Sequence, residues 1–160
     1  MQAIYAHHVL NGLASFEEVA PPLEEMRQRY EALVGRGLPY LVADLEGTVA
    51  GYGYCAPYRT RSAYRYTLED SVYVRNDMAG RGVGGALLGA LVERSAALGY
   101  RQLIAIIGDS GHDASIGLHE SQGFVRVGTL RSVGYKRERW VDSVIMQRAL
   151  GAGDSLPPER

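Results

Sequence analysis

Hydrophobic residues change their period several times along this chain of 160 residues, and each change predicts an element. Residues 2–10 read as a short helix, followed by a polar stretch to Glu18 that predicts an irregular loop with Phe16 near its middle. After Pro21-Pro22, the apolar residues Leu23, Met26, Tyr30, Leu33 and Val34 recur at helical spacing among Glu24, Glu25, Arg27, Arg29 and Glu31. They predict an amphipathic helix that stops near Gly35 or Gly37. Residues 40–45 and 48–56 are extended runs around Glu46-Gly47, a hairpin pattern. In the second run Tyr52 and Tyr54 share one face and Gly51 and Gly53 the other, which leaves that face open to close packing. The arginine-bearing segment 58–65 is too polar for a core and predicts a loop before a third strand at 66–74. Val83, Ala86, Leu87, Ala90 and Leu91 make the stripe of a second amphipathic helix over 82–98, ended by Gly99. The continuous apolar run 103–107 predicts an interior parallel strand covered on both faces, reached by a right-handed crossover. A short helix at 113–122, stopped by Gly123, and strands at 124–134 and 141–150 complete one α/β domain over 1–150, with 151–160 as a frayed tail.

Composition narrows the function. A formal net charge of −1 lacks the basic footprint that neutralises nucleic-acid phosphates, so no nucleic-acid partner is expected. The single cysteine, Cys55, has no intramolecular disulfide partner, and clustered zinc ligands are missing, so no metal is expected and a reducing compartment suits the chain. No apolar run approaches about 18 residues and no basic-flanked signal core opens the sequence, which together predict a cytoplasmic protein without a membrane partner. Glycine stands out at 20 residues, one in eight against about 7% on average.

The densest glycine cluster, Gly80-Arg81-Gly82-Val83-Gly84-Gly85, falls between the third strand and the long helix. Small residues there let backbone N–H groups and the helix dipole approach an anion, with phosphate the natural guest. A nucleoside triphosphate loop needs Lys and then Ser or Thr after the glycines, and Val83-Gly84-Gly85 supplies neither. Gly80, Gly82 and Gly85 match the dinucleotide spacing, with Asp109 placed as a ribose acid, but a dinucleotide fold wants several crossovers and one is visible. Tight helix–strand packing is the plain structural alternative.

The run from Val72 to Gly84 resembles the acyl-CoA pyrophosphate motif, Q/R-x-x-G-x-G/A, of the GNAT superfamily of N-acetyltransferases, with Ala79 where the pattern prefers Gln or Arg. A closer resemblance, to the phosphinothricin N-acetyltransferase family, is carried by five ordered islands: residues 56–64, residues 67–74, residues 114–120 with Gly123-Phe124, Gly134-Tyr135-Lys136, and Trp140 with Asp142. It implies a GNAT fold, a mixed and mostly antiparallel sheet with helices on both faces. That family usually opens with a strand before its first helix, and here Met1 falls almost on the helix, so the first strand is expected to be absent. Acetyl-CoA is the implied co-substrate, held by Val72, Tyr73, Val74, Gly80, Arg81, Gly82, Val83, Gly84, Gly85 and Ser115. His112 stands where the superfamily often has an asparagine that touches the cofactor. A homodimer is implied as well.

Glu69, Ser71 and Tyr73 alternate onto one strand face. Glu69 is the candidate general base, acting directly or through a water, and a solvent-facing glutamate is the plain alternative. His119, one turn after Ser115, takes the position where the superfamily usually has a tyrosine proposed to protonate the leaving thiolate. Its imidazole suits an acid or an auxiliary base equally. Glu69, Tyr73 and His119 are the catalytic candidates, whereas His7 and His8 read as structural. Arg59 and Arg61 carry guanidinium forks suited to carboxylate or phosphinate oxygens. The resemblance makes Arg61 and Tyr64 the clamp on an acidic amino acid, with Phe16 and Arg59 lining the site. The expected reaction is direct acetyl transfer to a small amino acid of the phosphinothricin, methionine sulfoximine or methionine sulfone type. Acetylation of a polyamine or protein N-terminus, or acyl-CoA sensing without catalysis, are the alternatives. The arginine pair argues against cationic acceptors, and the presence of Glu69, Tyr73 and His119 together argues against a sensor.

Overall fold

The computed structural model describes residues 1–158. Helices α1 (Gln2–Asn11) and α2 (Leu23–Val34) come first, then strands β1 (Tyr40–Leu45), β2 (Thr48–Pro57) and β3 (Thr67–Val74). Helix α3 (Val83–Ala97), strand β4 (Gln102–Gly108), helix α4 (Asp113–Ser121) and strands β5 (Val125–Lys136) and β6 (Arg139–Ala149) complete the chain order. One sheet runs β1-β2-β3-β4-β6-β5. Every neighbouring pair is antiparallel except β3 and β4. No strand precedes α1 among the described residues, and β1 forms one edge of the sheet.

Side-chain alternation sends β3 to both faces. Leu68 joins Leu88, Leu91, Leu103, Val144 and Met146 in the main core under α3 and α4. Tyr73 turns the other way, against Tyr52 and the buried Ile4, Tyr5 and Val9 of α1. Glycine sets how closely α3 lies on the sheet: a Cβ on Gly51 would stand 3.1 Å from Val83 Cγ1, and one on Gly53 3.0 Å from Leu91 Cδ1. A larger residue at either position would push the helix off its strand.

Three expectations need correction. The apolar stripe of α2 is mostly not core: Met26 is buried, but Leu23 is 72% exposed and Tyr30 and Val34 are also exposed. Helical spacing aligned these residues, but the helix meets the sheet along one narrow line. The run 103–107 is not flanked by parallel strands on both sides, since β4 pairs antiparallel with β6. Nor is it fully covered, because Ile106 is 37% exposed. The last two strands extend further than expected and meet at a two-residue turn, Arg137-Glu138, with φ of 53° and 59°. Neither residue is a usual occupant of such a turn, so composition did not announce it.

Residues 151–156 form turns, with Gly153 buried and its N–H donating to the Leu150 carbonyl at 2.9 Å. The Arg101 guanidinium donates to the Pro157 carbonyl at 3.3 Å. The final two positions of the expected tail, 159 and 160, lie outside the described residues. Among the described residues no helix is long and apolar enough to cross a membrane.

Candidate active site

The parallel pairing of β3 with β4 runs only from Thr67–Gln102 to Asp70–Ala105. Beyond that point the strands part, and a cleft of about 460 Å³ opens between residues 71–74 and 106–108. Alternation settles what edges it. The Arg75 N–H donates to the Ala50 carbonyl on β2, so Val72 and Val74 turn their backbone groups away from β2 and toward the cleft. Of these, the Val74 carbonyl accepts from His8 Nε2 at 2.8 Å.

The cleft floor continues into the start of α3. Gly80 and Gly82 hold φ of 76° and 78°, left-handed values that a side chain would strain, and they turn the chain so that α3 begins facing the cleft. The first bond from this turn into the helix runs from Ala86 N–H to the Gly82 carbonyl, which leaves the amides of Val83, Gly84 and Gly85 without intrahelical acceptors. A Cβ on Gly85 would meet nothing within 4 Å. The fold therefore admits a side chain there, in space where the pyrophosphate of the implied co-substrate would lie. Gly85→Glu is expected to keep or slightly raise thermal stability, since an acidic residue suits the first helical turn. The same variant should raise the KM for acetyl-CoA at least about tenfold by charge repulsion. An unchanged KM would remove the anion from this end of the cleft.

Most of the expected cofactor residues line this cleft: Val72, Tyr73, Val74, Gly80, Gly82, Val83, Gly84, Gly85 and Ser115. Arg81 does not, and its guanidinium lies 3.4 Å from Met78 Sδ. Of the catalytic candidates, Tyr73 and His119 line it and Glu69 does not. Tyr73 is packed edge-on against Tyr5, with centroids 5.0 Å apart, and burial pushes its phenol well above the ordinary value. Glu69 shares the α1 face of β3 with Ser71 and Tyr73 and is half-buried. Burial, and then the neighbouring Asp70 charge, raise its carboxyl pKa, while Arg59 pulls it back down.

Of the expected acceptor residues, Arg59 is the one whose charge reaches Glu69. Phe16 seats its ring over two glycines: a Cβ on Gly134 would stand 2.6 Å from Phe16 Cε2, and one on Gly108 2.9 Å from Cε1. Lys136 Nζ donates to the Ser15 carbonyl at 2.6 Å and ties the Phe16 loop to β5. The Arg59 guanidinium lies 4.6 Å from the Tyr58 ring centroid, and Tyr64 packs edge-on against that ring at 5.8 Å. Arg61 is exposed at the start of a short 3₁₀ turn.

Three further residues line the cleft. Asp70, buried beside His119, sits on the opposite face of β3 from Glu69 and was not among the site candidates. His8 reaches across 66 positions to Val74, and burial lowers its pKa. The ring also lines the cleft. His112 also lines the cleft, with Nδ1 buried and without a hydrogen-bond partner among the described residues. Among the described residues no group of three or more His, Cys, Asp or Glu side chains is arranged to hold a metal ion.

Comparison with known proteins agrees with this geometry. Residues 5–124 match the acetyltransferase (GNAT) family. The chain is 57% identical over 157 residues to a phosphinothricin N-acetyltransferase of Alcaligenes faecalis, covering 98% of this chain and 80% of that protein. It is 41% identical to an L-methionine sulfoximine/L-methionine sulfone acetyltransferase of Pseudomonas paraeruginosa, over 97% of this chain and 90% of the relative. The crystal structure of a GNAT superfamily phosphinothricin acetyltransferase from Sinorhizobium meliloti, in complex with AcCoA, superposes with a TM-score of 0.96 at 44% identity. That match covers 99% of this chain and 86% of the other. With three-quarters of its length inside the family match and close relatives that are N-acetyltransferases, the chain belongs to the GNAT family of acetyltransferases and is an N-acetyltransferase.

Proposed function

We propose that the enzyme transfers the acetyl group of acetyl-CoA to the α-amino group of a small amino acid of the phosphinothricin, methionine sulfoximine or methionine sulfone type, directly within a ternary complex. One observation carries the reading: Glu69 and His119 flank β3 from opposite faces where that strand parts from β4. The cleft fits acetyl-CoA. The free amides of Val83, Gly84 and Gly85 suit its pyrophosphate, and the outward backbone groups of Val72 and Val74 suit an extended pantetheine arm. When bound, acetyl-CoA supplies a thioester carbonyl carbon for attack by an amine.

The chain's own residues divide the remaining work. Glu69, with a raised carboxyl pKa, takes a proton from the substrate ammonium on the α1 face. The N–H groups of Val72 and Val74 offer donors to an oxygen that gathers charge at the cleft edge. His119 stands on the α4 side, where a leaving sulfur needs a proton. Arg59 and Arg61 supply guanidinium groups for the acceptor's carboxylate and phosphinate or sulfone oxygens, and Phe16 and Tyr64 bound its side chain.

A thiol-release assay with acetyl-CoA across amino acids, polyamines and N-terminal peptides tests this reading. Turnover on phosphinothricin or methionine sulfone is expected, and turnover confined to polyamines or peptides would replace the substrate.

The enzyme is proposed to act as a homodimer through the β5–β6 hairpin, where Val125, Val127, Val133, Tyr135 and Trp140 are all more than half exposed. Val133→Asp with Trp140→Ser should halve the mass seen by sedimentation, and a monomeric parent enzyme would end the proposal. A cytoplasmic location accords with Cys55, a buried free thiol.

A further inference from the structure

His119 is 5% exposed, and both of its ring nitrogens face acceptors. Nδ1 lies 2.7 Å from the Ser115 carbonyl and Nε2 lies 3.1 Å from Asp70 Oδ2. A carbonyl only accepts, so Nδ1 carries hydrogen. A neutral ring would then set the bare lone pair of Nε2 against a carboxylate oxygen, two acceptors with no proton between them. The geometry therefore places a proton there as well. Imidazole is the more basic partner, by roughly 2.6 pH units in ordinary surroundings, so that proton belongs on nitrogen.

We propose that Asp70 is the positioning residue that keeps His119 doubly protonated, so that the imidazole enters each turnover as an acid and not as a base. The inference rests on the acetyl-transfer reading above. Asp70 is built for this role: its side chain is 1% exposed, it lines the same cleft, and Oδ1 has no hydrogen-bond partner among the described residues. A carboxylate kept only for packing would have both oxygens satisfied.

The groups around the ring agree. Burial alone would lower the His119 pKa, but the hydrogen bond and charge of Asp70, with the Ser115 carbonyl, raise it overall. Asp70 is the one charge that acts on the ring among the described residues. Phe124 packs edge-on at 5.0 Å and carries none. Cys55 of β2 feels the Asp70 charge, but burial pushes its thiol up to about 12 and keeps it neutral. Glu69 leaves β3 on the opposite face.

The proton step balances. The Nε2–H bond breaks as an S–H bond forms, its electron pair stays on nitrogen, and imidazolium plus thiolate become imidazole plus thiol. An ammonium sheds two protons in becoming an amide. The sulfur takes its proton from His119, one of the ammonium's two reloads the ring by way of Glu69 and solvent, and the other is released, so each turnover frees one proton. Asp70 Oδ2, facing Nε2 at 3.1 Å, makes the unloaded ring unfavourable.

The test has two arms. In the ligand-free full chain labelled with ¹⁵N-histidine, both His119 nitrogens should read as protonated at pH 7, and a bare nitrogen would overturn the proposal. In Asp70→Asn the titration midpoint of His119 should fall by at least about one pH unit, and the alkaline limb of kcat should move down with it. His119→Gln should lose that limb and cut kcat about 100-fold. If Asp70→Asn keeps the limb in place and changes only KM or stability, the residue is structural and the proposal fails. Should Asp70→Asn not fold, the first arm still decides, because it needs no variant. That arm needs no acceptor either, so a wild-type enzyme that acetylates no amino acid overturns the substrate reading alone.

Discussion

Glu69→Gln is expected to lower kcat/KM for the amino acid by about 100-fold or more, the size of effect that loss of a positioned general base produces. The substitution keeps shape and removes only basicity, so the KM for acetyl-CoA should hold and the loss should fall on the chemical step. Stability should move the other way. A carboxyl group whose folded pKa is raised binds its proton more tightly in the folded state, so its ionisation weakens the fold as pH rises through that value. Glutamine carries no such penalty. The variant should therefore unfold at the same temperature as the parent or higher at neutral pH. The pH profile gives the same residue a second signature. Wild-type activity should decline on the acid side through a pKa above the usual glutamate range, and Arg59→Ala should move that limb upward, because Arg59 is what lowers it. A Glu69→Gln enzyme with near-parental kcat would transfer the base role elsewhere.

Gly108→Ala should produce the largest loss of stability at any single position of the acceptor face. The added Cβ would lie 2.2 Å from the Leu13 carbonyl oxygen and 2.9 Å from Phe16. The first of these is backbone and cannot rotate aside. The loop cannot easily retreat, because Lys136 holds the adjacent Ser15 carbonyl. Overpacking of this kind costs about 3 kcal/mol, which lowers Tm by roughly 6 to 12 °C in a domain of this size. Phe16 would be displaced with the loop, so the KM for the amino acid should rise as well. Gly128→Ala is the matched control, since its Cβ meets nothing within 4 Å and should change stability by less than about 0.5 kcal/mol. A Gly108→Ala protein as stable as the parent would mean that the loop has room to move.

Periodicity and spacing revealed much of this molecule. Helix α3, the glycine turn at its start and the alternation of Glu69, Ser71 and Tyr73 are local patterns, each contained within about one element. What they left out is tertiary. Asp70 could be assigned to the face opposite Glu69, but its partner His119 is 49 residues away and arrives there through the crossover of α3. The place of His8 is tertiary in the same way, because nothing in α1 predicts that Val74 will accept its hydrogen bond. Helix α2 shows the converse: an apolar stripe states which residues line up, not how many the sheet will cover. The Arg137-Glu138 turn lacks the composition that would have marked it.

The four residue pairs that join β3 to β4 carry a consequence beyond the site they open. Among the described residues they are the only ladder between the half-sheet β1-β2-β3 and the half-sheet β4-β6-β5, so the molecule has a short spine along its middle. Leu68 and Leu103, facing partners on that spine, are almost wholly buried. The spine's length also fixes where the cleft begins. Extending the ladder by one pair would strengthen the fold and remove the backbone edge proposed to meet the co-substrate. Cohesion between the two halves and access to the reacting atoms are therefore opposing demands on the same stretch of chain, and selection for a more robust enzyme would have to act somewhere other than this seam.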